Sequence, residues 1–202
     1  MKKALRRKLP QIPDDYFLTN DDSDGGLARG TLPVLLGEML GVAEEMFGPH
    51  NITYTLLGIE FSPSGPCVWI QRDRKYMTIQ LGSEVLSDYQ DACCQLAHEC
   101  IHFLYQDDKK HANVLEEGIA VYFQRHYMRL LFNSGWWDGE IAIETYREAL
   151  RLTEQLLDIQ PNAVKLLRAH EPNIARISQD LILGVCPTVP NELAIRLAEP
   201  FC

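Results

Sequence analysis

Apolar residues at Leu35, Leu36, Met39, Leu40, Ala43 and Phe47 recur at the spacing that puts them on one face of a helix, and Gly48-Pro49 supplies the stop. The period then changes. Ile52 to Phe61 is rich in β-branched and aromatic residues and ends in the turn sequence Ser62-Pro63-Ser64-Gly65-Pro66, which predicts a strand. Cys67–Gln71 and Tyr76–Leu81 are two further strands. The polar link Arg72-Asp73-Arg74-Lys75 between them implies a hairpin, and Gly82-Ser83 closes the third strand.

Beyond that point the pattern is almost wholly helical. A first helix over about 88–106 carries Cys93, Ala97, Cys100, Ile101 and Leu104 on one stripe. A second, over about 112–133, carries Leu115, Ile119, Tyr122, Phe123 and Leu130. Helices over about 138–158, 161–170, 173–184 and 190–198 follow, each opened by a proline or by an Asn/Asp-type cap. One helix, three strands and a run of helices make an α+β domain: a small antiparallel or mixed three-stranded sheet, then a mostly helical C-terminal half. Residues 1–30 show no periodicity and read as a flexible N-terminal tail. Residues 31–202 read as a single domain with a helical C-terminal extension.

Composition narrows the function classes. With 46% hydrophobic residues in 202, the chain can bury a core and lacks the character of a disordered protein. A formal charge of −9 argues against a broad phosphate-binding surface, so no nucleic-acid partner is expected. The basic cluster Lys2, Lys3, Arg6, Arg7 and Lys8 reads as a solvated tail. No apolar run approaches the ~20 residues that span a bilayer, and Pro10, Pro13, Asp14 and Asp15 stand where a secretory apolar stretch would be. Cys67, Cys93, Cys94, Cys100, Cys186 and Cys202 show no C-x-x-C spacing and no disulfide framework. A cytoplasmic location fits best, with signal-independent export as the open alternative.

The chemistry lies in His98-Glu99-Cys100-Ile101-His102. On a helix, residues four apart share a face, so both imidazoles can bind one ion. Glu99 is rotated by about 100° from His98, so it misses the metal but can reach a water bound to it. Cys100 faces the core and reads as an inert thiol. A catalytic site needs a third ligand. Asp108 has the spacing of one known pattern, but that pattern needs a glycine where Tyr105 stands, so Asp108 reads as part of the loop Gln106–Lys110. Glu117, in Leu115-Glu-Glu-Gly-Ile-Ala-Val-Tyr-Phe123, is the stronger candidate, because the small residues Gly118 and Ala120 admit a close helix approach. Its neighbour Glu116 lies on the same helix border, and geometry alone does not choose between the two.

The combination of His98-Glu-Cys-Ile-His102 with Glu117-Gly-Ile-Ala-Val-Tyr122 resembles the gluzincin branch of zinc metallopeptidases, which includes thermolysin-like enzymes and zinc aminopeptidases. The resemblance covers about residues 50–135. It implies a zincin-like fold, Zn2+ as cofactor, His98, His102 and Glu117 as its ligands, and Glu99 as the catalytic base. It also implies an antiparallel edge strand that holds extended substrate, with Tyr76–Leu81 in the matching place. The expected activity is zinc-dependent hydrolysis of a protein or peptide by a Glu-activated, zinc-bound water. Such hydrolysis needs an oxyanion donor, for which Tyr146, His126 and Tyr127 are candidates. His111 and His170 read as surface residues, and Trp136-Trp137 as a cap on the core or an apolar contact patch. The alternatives are a non-catalytic, regulatory protein-binding module on the same scaffold, or a secreted effector with the same chemistry.

Overall fold

The computed structural model describes residues 31–105, 111–132, 141 and 143–202. The tail expected over residues 1–30, Asp108 and the Trp136-Trp137 pair lie outside the described residues. Among these, the chain forms seven α-helices and one three-stranded mixed sheet, an α+β arrangement that is mostly helical.

Helix α1 (Leu32–Phe47) has a proline in its first turn and ends at Gly48, whose φ of 93° lies in the positive range that glycine adopts without penalty. Strands β1 (Thr55–Ser62), β2 (Cys67–Gln71) and β3 (Tyr76–Gly82) follow. β2 and β3 form the expected antiparallel hairpin, turned by a short 3-10 segment and by Lys75 at φ 56°. β1 runs parallel to β3 with an irregularity between Leu56 and Gly58. The sheet order is β1-β3-β2, which corrects the edge-strand expectation: Tyr76–Gly82 is the middle strand. The burial pattern gives the reason. Met77, Thr78, Ile79 and Leu81 are all buried, the signature of a strand covered on both faces, whereas β2 alternates and is half open.

Helix α2 (Tyr89–Phe103) opens on Asp88, whose carboxylate accepts from the Asp91 N–H at 2.9 Å, a cap worth about 1 kcal/mol. Its stripe Cys93, Ala97, Cys100, Ile101 and Leu104 is buried as expected. Helix α3 (Val114–Phe132) packs against both α2 and α4 (Glu144–Ile159). Leu115, Ile119 and Phe123 are in the core, but Leu130 is exposed and Leu131 and Phe132 are buried instead. The expected helix over 173–184 divides into a short 3-10 turn and α6 (Gln179–Val185), because Ser178 caps a new start at the Leu181 N–H. Helices α5 (Ala163–Arg168) and α7 (Asn191–Ala198) complete the set. Arg168 is buried and donates to the carbonyls of Phe47, Gly48, Pro49 and Pro172, tying the end of α1 to α5. All six cysteines are free thiols. No described helix is long and apolar enough to cross a membrane.

Candidate metal centre

Two adjacent turns of α2 and the first turn of α3 build the site. Helical spacing brings His98 and His102 together with ring centroids 5.0 Å apart and their Nε2 atoms 3.2 Å apart. From α3, Glu117 Oε2 stands 3.3 Å from His98 Nε2, and Glu117 Oε1 stands 3.6 Å from His102 Nε2. His98, His102 and Glu117 thus form a group that can hold a metal ion. Glu117 Oε2 is buried and accepts no well-aligned hydrogen bond, an expense that a structure tolerates when the atom has another partner to meet.

The neighbour left undecided by the sequence has its own place. Glu116 Oε1 is 2.9 Å from His102 Nδ1, so the ring donates its Nδ1 proton to Glu116 and turns Nε2 toward His98 and Glu117. Both glutamates therefore serve the site from opposite sides of one imidazole. The start of α3 is fixed by the buried Asn113. Its side-chain oxygen accepts from the Glu116 N–H at 2.9 Å, and its amide donates to Ile174 O at 2.9 Å.

Gly118 meets a helix other than the one expected. A Cβ there would fall 2.1 Å from Thr153 Oγ1 and 2.4 Å from Ala149 O, so the close approach it permits is to α4. That contact still matters to the site, because α4 carries Tyr146. The Tyr146 ring meets His98 edge-on, with centroids 5.8 Å apart and planes at 77°. Of the three candidate oxyanion donors, Tyr146 is the one beside the cluster. Tyr127 packs instead against Phe123 in the core, and His126 lies near Arg129. His111 and His170 are exposed, as expected.

The charges around the cluster favour a positive centre. Burial alone would lower the His102 pKa, but hydrogen bonds and charge from Glu116 and Glu117 outweigh it and hold the imidazolium well above its ordinary range. Burial pushes Glu117 up, yet the two imidazoles hold it far below the usual carboxylate range. Glu99 goes the other way. It is 4% exposed, and burial raises its pKa against the opposing pull of His102 and His98. Partial burial and then the charge of Glu99 raise the Cys67 thiol at the start of β2. Cys100 is fully buried and its thiol is pushed far up by desolvation, in keeping with an inert core residue.

The sequence did not point to Glu116 as the partner of His102, to Asn113, or to an aromatic wall beyond Tyr146. A hydrophilic pair at a helix start looks the same whether it faces solvent or an imidazole. Comparison with protein-family models, with curated proteins and with solved structures finds no match to this chain.

Proposed function

We propose that the chain is a zinc-dependent peptide hydrolase on a zincin-like scaffold, with His98, His102 and Glu117 as metal ligands and Glu99 as general base. The observation that carries this reading is that one ligand atom from each of His98, His102 and Glu117 lies within 4.8 Å of the others, with the two Nε2 atoms 3.2 Å apart and His98 Nε2 3.3 Å from Glu117 Oε2. Zinc bonds of about 2.0–2.1 Å in a tetrahedron separate neighbouring donor atoms by about 3.3–3.4 Å. Two nitrogens and one carboxylate, with the Nδ1 of one imidazole bonded to an outer carboxylate, form a donor set suited to a catalytic zinc.

Zinc bound there supplies Lewis acidity toward water and the substrate carbonyl. The remaining work falls to side chains of this protein. Glu99, next to His98 on α2 and buried, takes a proton from the attacking water and returns it to the leaving amine. Its raised pKa brings proton affinity closer to that needed near neutral pH. Glu116 keeps His102 in the tautomer whose Nε2 faces the ligand cluster. Tyr146, beside His98, is the proposed hydrogen-bond donor to the oxyanion. β2, the half-open edge strand among the described residues, is the proposed holder of the substrate, since its outer backbone edge can pair with an extended peptide.

The test is metal analysis joined to cleavage of an unbiased peptide library. Wild type is expected to hold one zinc per chain and to cleave. His98→Ala should lose the metal, and Glu99→Gln should keep it without cleaving. A protein that neither contains nor takes up zinc would overturn the reading. Cleavage undiminished in Glu99→Gln would remove Glu99 from its role.

A further inference from the structure

His98 and His102 differ in what orients them. His102 is steered by Glu116, whereas His98 makes no hydrogen bond through Nδ1 to any described residue, and its ring is set by packing against Tyr146. Tyr146 is in turn stacked on Phe201, with ring centroids 4.9 Å apart and planes at 47°. Phe201 belongs to the segment that follows α7. Its backbone N–H donates to Ala112 O at 2.9 Å, the Val114 N–H donates to Glu199 O at 2.9 Å, and Pro200 bridges Asn113. This segment therefore reaches the cluster twice. It fastens the start of the helix that presents Glu116 and Glu117, and it backs the ring that lies on His98.

We propose that Phe201 is a positioning residue for the metal centre, pressing Tyr146 against His98 and so setting the plane in which His98 Nε2 meets Glu117 and His102. The inference rests on reading those three residues as zinc ligands. Its physical basis is the surroundings of the ring pair. Phe201 is half-buried and lines an open groove of about 750 Å³ bordered by Thr145, Arg147, Glu148 and Arg196. Without Phe201, the Tyr146 ring can swing into the groove, and the His98 ring loses the wall that restricts its rotation about the bond to its own Cβ. Because Phe201 borders open space rather than the closed core, its removal leaves the packing of α2 on α3 intact.

The test measures zinc affinity by competition with a chromophoric chelator, together with the visible spectrum of the cobalt-substituted protein. Wild type is compared with Phe201→Ala, Phe201→Leu and Phe201→Tyr, each also in a Tyr146→Ala background. Thermal midpoints taken in excess chelator report folding without the metal. Loss of a group that orients a ligand weakens metal binding by about 10-fold or more, and that is the expected effect of Phe201→Ala. Phe201→Tyr should restore wild-type affinity and Phe201→Leu should fall between. The cobalt spectrum should shift in Phe201→Ala. In the Tyr146→Ala background the Phe201→Ala effect should vanish, because the coupling runs through that ring. Wild-type affinity and spectrum in both Phe201→Ala and Phe201→Leu would overturn the proposal while leaving the ligand assignment standing. An equal loss with and without Tyr146 would also overturn it. A wild-type protein that binds no zinc would overturn both.

Discussion

The two imidazoles of the site stand one turn apart on the same helix, yet their flanks are built from different materials. The His102 flank is polar and short-range: Glu116 binds its Nδ1, and Asn113 fixes the backbone that carries Glu116. The His98 flank is aromatic: Tyr146 lies edge-on to the ring and Phe201 backs Tyr146. A hydrogen bond of 2.9 Å to a carboxylate fixes both tautomer and ring plane and makes the nitrogen opposite a better donor. Packing fixes the plane alone and leaves the electronics of the ring unchanged. The difference assigns work: the polar flank acts on cation affinity through both the plane and the electronics of its ring, the aromatic flank acts through the plane alone, and the aromatic flank also leaves a phenol beside the proposed place of the substrate carbonyl.

The largest expected effect comes from the proposed base, which belongs to neither flank. Glu99→Gln should lower hydrolysis by about 10²–10⁴-fold with zinc content unchanged, since it removes the base but no ligand; single-turnover kinetics on a cleaved peptide check this. Next, Tyr146→Phe keeps the ring on His98 and loses only the hydroxyl. Its turnover should fall by about 10²-fold while chelator competition shows wild-type zinc affinity. A fall in affinity instead would mean that the His98 flank is also polar, and the contrast between the flanks would break.

Glu116→Gln sharpens the same contrast from the other side. It keeps the shape and removes the charge behind His102, so zinc affinity should drop by about 10–100-fold. Asn113→Ala has the smallest effect. It removes the cap at the Glu116 N–H and one of the two donors to the Ile174 carbonyl, which keeps the Ile177 N–H, for a loss of about 1 kcal/mol in denaturant unfolding. Any change in zinc affinity should follow that of Glu116→Gln and not that of Phe201→Ala.

What the sequence made legible follows from the range of the interactions. The pairing of His98 with His102 needs only helical periodicity, and the burial of the α2 stripe needs only the same count of residues. The hairpin between β2 and β3 is signalled by its polar link. The position of β3 is another matter. Its middle place depends on β1 returning alongside it in parallel, and no local pattern states which strand lies between two others. Thr78 was the available hint, a polar residue buried amid Met77, Ile79 and Leu81, but burial is not visible before the fold is. Helical geometry leaves the choice between Glu116 and Glu117 open for a similar reason, because each finds its partner across the turn between two helices, and only the resemblance points to Glu117. The small size of Gly118 predicts a close approach to the helix of His98 and His102; the contact is with Ala149 and Thr153 of α4, chosen by a packing angle that the sequence does not carry. Phe201 lies beyond any motif, and backbone pairing of its segment with residues 112–114, far away in the sequence, brings it to Tyr146.

Zinc-edge X-ray absorption of the metal-loaded protein asks most directly whether these side chains share one ion. The account predicts a first shell of nitrogen and oxygen alone at about 2.0–2.1 Å, with the multiple-scattering pattern of two imidazoles. A sulfur shell at about 2.3 Å, or an unchanged spectrum after His98→Ala, would contradict it.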